Sequence, residues 1–155
     1  MTPAVNALKK SKTPYNLHEY SHNPASDSYG SEAAEKLGIS ASQVFKTLVV
    51  SLDNKALAVA VVPVSSKLSM KQVAKALAAK KAVMANPAEV ERVTGYVLGG
   101  VSPLGQKKTL KTVIDSSAKD LSSIFISAGR RGLEIEINPV DLAKLTRASF
   151  YKVSQ

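Results

Sequence analysis

The sequence predicts a single mixed α/β domain in which short helices surround a curved, partly barrel-like mixed β-sheet. The 155 residues suit one hydrophobic core, because domains cluster near about 100–150 residues, so we expect one domain over 1–155. Two adjacent apolar runs, 46–52 and 56–62, have the continuous apolar character of strands that are buried on both faces. Helix and strand signals alternate without the strict order of a doubly wound fold.

The first part of the chain carries the signals of two helices with a strand between them. Thr2 followed by Pro3 has the pattern of an N-cap and a first helical residue, and Gly38 is the kind of residue that ends a helix. Alternation with aromatic residues indicates a strand, whereas asparagine, proline and aspartate indicate a loop. The expected elements are a helix to about Lys10, a strand over 15–20, a loop over 21–28 and a helix capped by Ser31.

The next segment is expected to supply the centre of the sheet. Ser40 and Gln43 have the spacing of a capping box before a short helical turn. The two apolar runs that follow are separated only by turn-forming residues, which predicts a hairpin of buried strands. These strands are expected over 46–52 and 56–62, with the turn at 53–55.

Helices and strands are expected to alternate through the rest of the chain. Ser69 and Gln72 form a second candidate capping box, and the Asn-Pro pairs at 86–87 and 138–139 are typical of helix starts. We expect helices from these points to about Ala79, Val93 and Leu145, and strands over 96–98, 112–115, 123–127 and 133–137.

Composition narrows the classes of function. The chain has 21 basic and 12 acidic residues, a net charge of +9. This excess favours a polyanionic partner such as nucleic acid, although a solvated basic surface is the alternative. With no cysteine and two histidines, thiolate chemistry is excluded and no metal site is expected. Short apolar runs and the lack of a signal-peptide pattern predict a cytoplasmic protein without membrane contact.

Two glycine-containing segments are candidate substrate loops. Adjacent glycines at Gly99 and Gly100 let backbone N–H groups approach an oxyanion or a phosphate, although a tight turn would need the same residues. Ser127 ends an apolar strand and is followed by Arg130 and Arg131, which suit phosphate recognition; a basic hairpin turn is the alternative. The G-x-S-x-G pattern of a serine hydrolase is absent around Ser127.

Lys46 is an unusual residue at the start of an apolar strand. Its ammonium would either reach solvent at the rim or lie in a pocket, where it could neutralise phosphate or carbonyl charge. His18, Tyr20 and His22 share one strand face and suit stacking on a nucleobase better than metal binding. Lysine clusters could follow a phosphate backbone or simply be solvated. They lie at Lys9-Lys10-Lys12, Lys80-Lys81 and Lys107-Lys108-Lys111.

Several separated segments carry a family resemblance when they are taken in order. They are Thr2-Pro3-Ala4-Val5, Tyr20-x-His22, Val44-x-Lys46-Thr47-Leu48, the run 57–61, Thr94-Gly95-Tyr96, the loop 99–108 and the segment 127–133. Together they resemble the YbaK-type Cys-tRNA(Pro) deacylases, whose wider family includes the editing domain of bacterial prolyl-tRNA synthetases. The resemblance covers the chain from residue 2 to about 145.

This resemblance implies a trans-editing enzyme that removes cysteine from mischarged tRNA(Pro) without a cofactor, with prolyl-tRNA synthetase as a possible partner. The implied catalytic residues are Lys46, Gly99, Gly100 and Ser127. The expected substrate-binding residues are Tyr20, His22, Tyr29, Thr47, Ser102 and Glu134, where the branch often has phenylalanine in place of Tyr29 and aspartate in place of Glu134. Expected tRNA contacts are Lys107, Lys108, Lys111, Arg130 and Arg131.

The chemistry that the chain lacks suggests how the ester could be cleaved. Without a cysteine, a metal cluster or a triad, the expected nucleophile is the thiolate of the substrate's own cysteine, which would leave as a cyclic thiolactone. The glycine loop would stabilise the oxyanion, Lys46 would hold the terminal ribose and phosphate, and Ser127 would orient the amine or ester. Two alternatives stay open: an Ala-tRNA(Pro) hydrolase that uses water, and a non-catalytic module that binds tRNA or a synthetase.

Overall fold

The chain folds into two β-sheets with α-helices around them. The structure, a computed structural model, describes residues 1–26 and 29–155, apart from the side chain of Tyr29. In chain order the elements are α1 (Pro3–Ser11), β1 (Asn16–Glu19), α2 (Tyr29–Leu37), β2 (Phe45–Leu52), β3 (Ala56–Pro63), α3 (Met70–Ala76), β4 (Ala82–Met84), α4 (Pro87–Thr94), β5 (Lys111–Asp115), a 3-10 helix (Ser116–Asp120), β6 (Ile124–Ser127), β7 (Leu133–Ile137), α5 (Pro139–Thr146) and β8 (Ser149–Tyr151).

The strands divide into a three-stranded sheet of order β1-β7-β6 and a five-stranded sheet of order β4-β2-β3-β5-β8. The smaller sheet is antiparallel, whereas β5 runs parallel to both β3 and β8 in the larger one. The predicted α/β class is confirmed, and the predicted hairpin β2–β3 lies in the middle of the larger sheet. The expected single, partly barrel-like sheet is not confirmed, because the strands form two open sheets.

Among the described residues, one isolated β-bridge connects the two sheets, just before β2. Val44 and Phe125 form an isolated parallel bridge, in which the Phe125 N–H donates to the Gln43 carbonyl at 2.9 Å. Beyond this bridge β2 continues into the larger sheet, while β6 pairs with β7. The two strands therefore diverge, and a cleft opens between their edges.

Four helices begin at the caps that the sequence predicts. The capping side chains, each of which accepts a backbone N–H of the first turn, are Thr2, Ser69, Asn86 and Asn138. Helix α2 differs, because it begins at Tyr29, and Ser31 lies inside its first turn instead of capping it. The predicted capping box at Ser40 is a tight turn, since its hydroxyl accepts the N–H of Ser42.

The strand predicted over 96–98 is wrong. Gly95 ends α4 with a φ of +84°, a conformation that favours glycine and reverses the chain. The side chain of Tyr96 then turns inward, where its hydroxyl donates to the Leu104 carbonyl at 2.6 Å. Val97 and Leu98 are 56% and 54% exposed, so this apolar segment is a turn. Strands β4 and β8 were not predicted, because three residues each are too few to show alternation.

Apolar cores cover both faces of the larger sheet. One core packs this sheet against the smaller sheet and includes Phe45, Val61, Ile126 and Ile135, all nearly inaccessible to solvent. The other packs α3 against the opposite face, where Val50, Ala60 and Val73 meet. Burial of each large apolar side chain stabilises the fold by about 1.5–3 kcal/mol, so both faces fix the position of β2.

A buried carboxylate fastens the end of the chain to the larger sheet. Asp115 is 1% exposed; its Oδ1 accepts the N–H groups of Val153 and Ser154, both at 3.0 Å, and its Oδ2 accepts the Ser117 hydroxyl at 2.6 Å. Burial raises the pKa of Asp115, but these hydrogen bonds outweigh it and lower the pKa below its usual value. The side chain therefore stays ionised in the folded protein.

We predict that Asp115→Ala lowers the free energy of unfolding by about 2–3 kcal/mol at pH 7, because two buried N–H groups lose their acceptor. Urea unfolding measures the change, and Asp120→Ala, at an exposed position of the 3-10 helix, is the control. Since the folded-state pKa is lowered, the difference should be present above about pH 4 and should shrink as the pH falls further. Equal stability of the two variants at pH 7 would contradict this role.

Candidate active site

A pocket of about 340 Å³ lies in the cleft where β2 and β6 diverge. Its walls come from the first half of β2, the ends of β6 and β4, the start of α2, one residue of β7 and the loop after α4. Residues predicted for the site from distant parts of the sequence meet here. Those that line the pocket are Tyr20, Lys46, Thr47, Gly99, Ser127, Arg130, Arg131 and Glu134.

The first half of β2 faces the pocket with its edge. All five residues from Phe45 to Val49 line the pocket, although alternate residues of a strand point to opposite faces. Such a run can line one cavity only where the strand has a free edge. Strand β4 pairs with β2 only from Val50 to Leu52, and one further hydrogen bond joins Ala85 to Val49, so β4 leaves the edge before Val49 uncovered.

Lys46 places an unpaired cation at the pocket. Burial lowers the pKa of its ammonium group, and the positive charge of nearby Lys67 lowers it further. Within the part of the chain that the structure describes, no carboxylate forms an ion pair with Lys46. A partly desolvated ammonium without a counter-ion attracts an anionic ligand group, such as a phosphate.

Two hydroxyl groups face the same space. The Thr47 Oγ1 is buried and has no hydrogen-bond partner among the described residues, a state that costs free energy unless a ligand supplies the bond. The Ser127 Oγ accepts the Gly129 N–H at 3.1 Å. This bond orients the serine hydroxyl and leaves its proton available for donation into the pocket.

Glu134 is a buried carboxyl group. It lies opposite Ser127 in the pairing of β6 with β7 and is 6% exposed. Burial raises the pKa of Glu134 to about 8, because the charged form loses hydration in this environment. Glu134 is therefore mainly protonated at neutral pH, where it can donate a hydrogen bond but is a poor base.

The glycine pair and the serine after it have different positions. Gly99, with a φ of +88°, lines the pocket, whereas Gly100 lies behind it and its N–H donates to the Val97 carbonyl at 2.9 Å. A Cβ at Gly100 would come within 3.3 Å of the Arg130 Cα, so this glycine permits close packing. Ser102 is fully buried, and its Oγ accepts the Leu104 N–H. Neither Gly100 nor Ser102 therefore has the expected contact with the pocket.

The histidines lie outside the pocket lining. The Nδ1 of His22 is 2.6 Å from the Glu32 Oε1, and this hydrogen bond lowers the pKa of Glu32. Glu32 also accepts the Asn23 N–H at 2.9 Å, so the pair fastens α2 to the loop after β1. His18 contacts Glu136 at 3.0 Å. Neither histidine lines the pocket with Ser127, and the side chain of Tyr29 lies outside the described residues.

The predicted tRNA contacts separate into three places. Arg130 and Arg131 line the pocket. Lys107 and Lys108 are exposed beside the end of α4, to which their N–H groups donate. Lys111 lines a separate groove next to the C-terminal ends of α3 and α5. Of the three lysines, only Lys111 lines this groove, and the expectation that all three contact tRNA stays a prediction.

The apolar wall of the pocket was not predicted from the sequence. Met84 and Leu98 line the pocket and are 48% and 54% exposed. In the sequence they resemble ordinary core residues, so no local signal distinguishes them. The other apolar residues that line the pocket are Val44, Phe45, Leu48, Val49, Val64, Ala85, Val90 and Val101.

The described residues contain no cluster of three or more histidine, cysteine, aspartate or glutamate side chains that could hold a metal ion. No helix within 1–26 or 29–155 combines the length and apolarity that a membrane crossing requires.

Comparisons with known proteins identify relatives over almost the whole chain. The chain is 36% identical over 154 residues to the "Putative Cys-tRNA(Pro)/Cys-tRNA(Cys) deacylase EbsC" of Enterococcus faecalis (strain ATCC 700802 / V583), which covers 99% of this chain and 93% of that protein. It is 31% identical over 122 residues to the uncharacterized protein YwhH of Bacillus subtilis (strain 168), covering 79% of this chain and 75% of that protein.

A solved structure shares the fold. It is described as a "putative trans-editing enzyme for prolyl tRNA synthetase", and it superposes with a TM-score of 0.85 at 23% identity, covering 99% of this chain and 95% of that chain. The family model described as "Aminoacyl-tRNA editing domain" matches residues 22–145. This match includes every residue that we find lining the pocket except Tyr20. The chain therefore belongs to the aminoacyl-tRNA editing domain family.

Proposed function

We propose that this protein is a trans-editing deacylase that removes cysteine from mischarged tRNA(Pro). The observation that carries the proposal is the pocket itself, which combines the Lys46 ammonium, without an ion-pair partner among the described residues, with the Thr47 and Ser127 hydroxyl groups and an apolar wall. Membership of the editing-domain family supports cleavage of an aminoacyl ester. The name of the 36% identical relative supports cysteine as the amino acid.

The nucleophile is the thiol of the substrate. Both histidines of the chain are held by carboxylates outside the pocket lining, and Glu134 keeps its proton at neutral pH, so neither the histidines nor Glu134 serves as the base that Ser127 or water would need. A cysteine thiol has an unperturbed pKa near 8.5 and lies close to its own carbonyl, so its attack avoids the entropy cost of recruiting water.

The cleavage is an internal transfer of the acyl group from oxygen to sulfur. The sulfur attacks the ester carbonyl carbon and a tetrahedral oxyanion forms; the bond from that carbon to the ribose oxygen then breaks. The proton of the thiol ends on the ribose oxygen, so the products are tRNA and a cyclic thiolactone, and neither water nor a cofactor is consumed. The thiolactone opens later in solution.

The protein supplies binding, orientation and electrostatic stabilisation. The Lys46 ammonium holds the terminal ribose and phosphate, and the Ser127 hydroxyl orients the amine or ester. The N–H of Gly99 remains a candidate donor to the oxyanion, because Gly99 lines the pocket. Tyr20 and neutral Glu134 complete the wall around the aminoacyl group.

The tRNA itself binds across the pocket mouth. Arg130 and Arg131 contact the phosphates of the acceptor end, with Lys107 and Lys108 as further contacts. Lys111, in its separate groove, contacts the acceptor end only if the tRNA extends around the molecule. Editing of this kind takes place in the cytoplasm, where prolyl-tRNA synthetase is the expected partner.

We predict that Lys46→Ala lowers the deacylation rate constant by about 100-fold or more, since one preorganised charged contact at a reacting centre is commonly worth that much. The affinity for tRNA should change little, because Lys46 is one of 21 basic residues. Single-turnover deacylation and filter binding measure the two effects. Lys67→Ala is the matched control, because Lys67 is an exposed neighbour that does not line the pocket. Wild-type turnover in Lys46→Ala would remove Lys46 from the mechanism.

The choice of nucleophile predicts which esters react. Cys-tRNA(Pro) should be cleaved much faster than Ala-tRNA(Pro) or S-methyl-Cys-tRNA(Pro), because only the first carries a free thiol. Rates of ester loss, with mass spectrometry of the first product in ¹⁸O-labelled water, provide the measurement. Equal rates for all three esters, with ¹⁸O entering the amino acid directly, would favour the alternative of a water-using Ala-tRNA(Pro) hydrolase. Binding without cleavage of any ester would favour a non-catalytic module.

The raised pKa of Glu134 predicts how stability depends on pH. The folded protein keeps this proton until about pH 8, whereas an unfolded glutamate loses it near pH 4.3. The contribution of Glu134 to the free energy of unfolding is therefore fully present below about pH 4, and it is lost as the pH rises to about 8. As the pH rises from 5 to 9, the free energy of unfolding of Glu134→Gln should increase relative to that of the wild type by about a few kcal/mol.

Urea unfolding at several pH values tests this expectation. Glu91→Gln, at an exposed position of α4, should keep the pH dependence of the wild type. A constant difference between Glu134→Gln and the wild type over the whole range would show that Glu134 is ionised in the pocket.

A further inference from the structure

Successive residues of β2 direct their backbone N–H and C=O groups alternately toward one edge of the strand and the other, and several hydrogen bonds show which residues point to which edge. The Val64 N–H donates to the Val44 carbonyl at 2.8 Å, so the even-numbered residues of this stretch direct their backbone groups toward β3. The odd-numbered residues point to the opposite edge, as two bonds show. Ala85 donates to the Val49 carbonyl at 3.1 Å, and Asp53 donates to the Lys81 carbonyl at 2.9 Å.

Thr47 is an odd-numbered residue at a place where this edge has no strand. The pairing of β4 with β2 would place residue 87 opposite Thr47 if it continued, but Pro87 begins α4 and the chain leaves the sheet. Along the same edge, on the Val44 side of Thr47, β6 forms a bridge only at Val44 and then diverges from β2. The N–H and C=O of Thr47 therefore point into the pocket, and no described residue outside the strand ladders bonds to them.

We propose that the aminoacyl group of the substrate pairs with the Thr47 backbone as a strand of one residue, an inference that rests on the proposed function. An aminoacyl ester contains the same N–Cα–C=O unit as a residue in a strand. Its ammonium donates to the Thr47 carbonyl, and its ester carbonyl accepts the Thr47 N–H, as in a hydrogen-bonded antiparallel pair. The chain's own Pro87 leaves this position vacant.

This pairing fixes the direction of the substrate. If the aminoacyl group runs in the direction of β4, its ester end points toward Lys46 and Phe45, and its amine points toward Val49. The terminal ribose and phosphate therefore come to the Lys46 ammonium. The Thr47 N–H contacts the oxygen that becomes the oxyanion, a task for which the Gly100 N–H is not free.

The pairing also fixes the direction of the amino-acid side chain. Opposed residues of an antiparallel pair place their side chains on the same face. The side chain of an L-amino acid therefore lies on the Thr47 face of the sheet, beside Val49 and the unpartnered Thr47 Oγ1. A D-amino acid would place its side chain on the opposite face, toward Leu48.

Amide hydrogen exchange on the whole protein tests this inference, with each amide followed by NMR. The probe is 3′-(L-cysteinyl)amino-3′-deoxyadenosine 5′-phosphate, whose amide linkage resists cleavage. In the free protein the Thr47 amide should exchange faster than the Leu48 amide, which pairs with β3. At saturation the Thr47 exchange should slow by about tenfold or more, while that of Leu48 stays the same. The D-cysteinyl probe should bind about tenfold more weakly.

The possible results separate this inference from the proposed function. Probe-induced shifts at Gly99 without slower exchange at Thr47 would overturn the pairing and leave the deacylase proposal intact. The Ala128 N–H bonds to the Leu133 carbonyl, so the backbone groups of Ser127 point away from β7 and also face the cleft. Slower exchange at Ser127 in place of Thr47 would therefore also overturn the pairing with Thr47. Equal binding of both enantiomers would contradict the assigned face. No shift at any pocket residue would overturn the proposed function and this inference together.

Discussion

The divergence of two strands after a single bridge is the constraint on which the rest of the site depends. A parallel pair that continued beyond Val44 and Phe125 would satisfy its own backbone groups and leave no space between the sheets. Because β2 turns into one sheet and β6 into the other, their facing edges open and their side chains meet around a common cavity. Lys46, Thr47 and Ser127 follow that branch point within a few residues, and Glu134 lies opposite Ser127 on the next strand.

The glycine loop is held in place by the first turn of the chain. At Gly105, whose φ is +68°, a Cβ would come within 2.5 Å of the Pro3 backbone, so only glycine allows α1 to pack this closely. The hydroxyl of Tyr96 bonds the Leu104 carbonyl, and a Cβ at Gly129 would come within 2.6 Å of the Tyr96 ring. One tyrosine thus braces both loops that reach the pocket, which explains why α1 matters to a site that it does not line.

Local signals predicted the parts of this structure that depend on local interactions. Helix caps such as Thr2 and Asn138, and the central hairpin, were predicted because their hydrogen bonds join near neighbours in sequence. The division into two sheets could not be predicted, because it depends on which strands pair across long separations in sequence. Lys46 and Ser127 were selected by their unusual places at strand ends, whereas Ser102 was selected through its motif and proved to hold its own loop. The exposed Met84 and Leu98 carry no sequence signal at all.

The early end of β4 has a further consequence for what the cleft can admit. Pro87 has no N–H and cannot donate to the Thr47 carbonyl, so the protein's own backbone does not compete for the vacancy. On the proposed pairing, the space next to the substrate amine is already filled by Ala85, which bonds to Val49. A peptide or a neighbouring protein strand would have to displace it, whereas a lone amino acid would not. The short vacancy would thus exclude peptidyl-tRNA and keep an open strand edge from recruiting other chains.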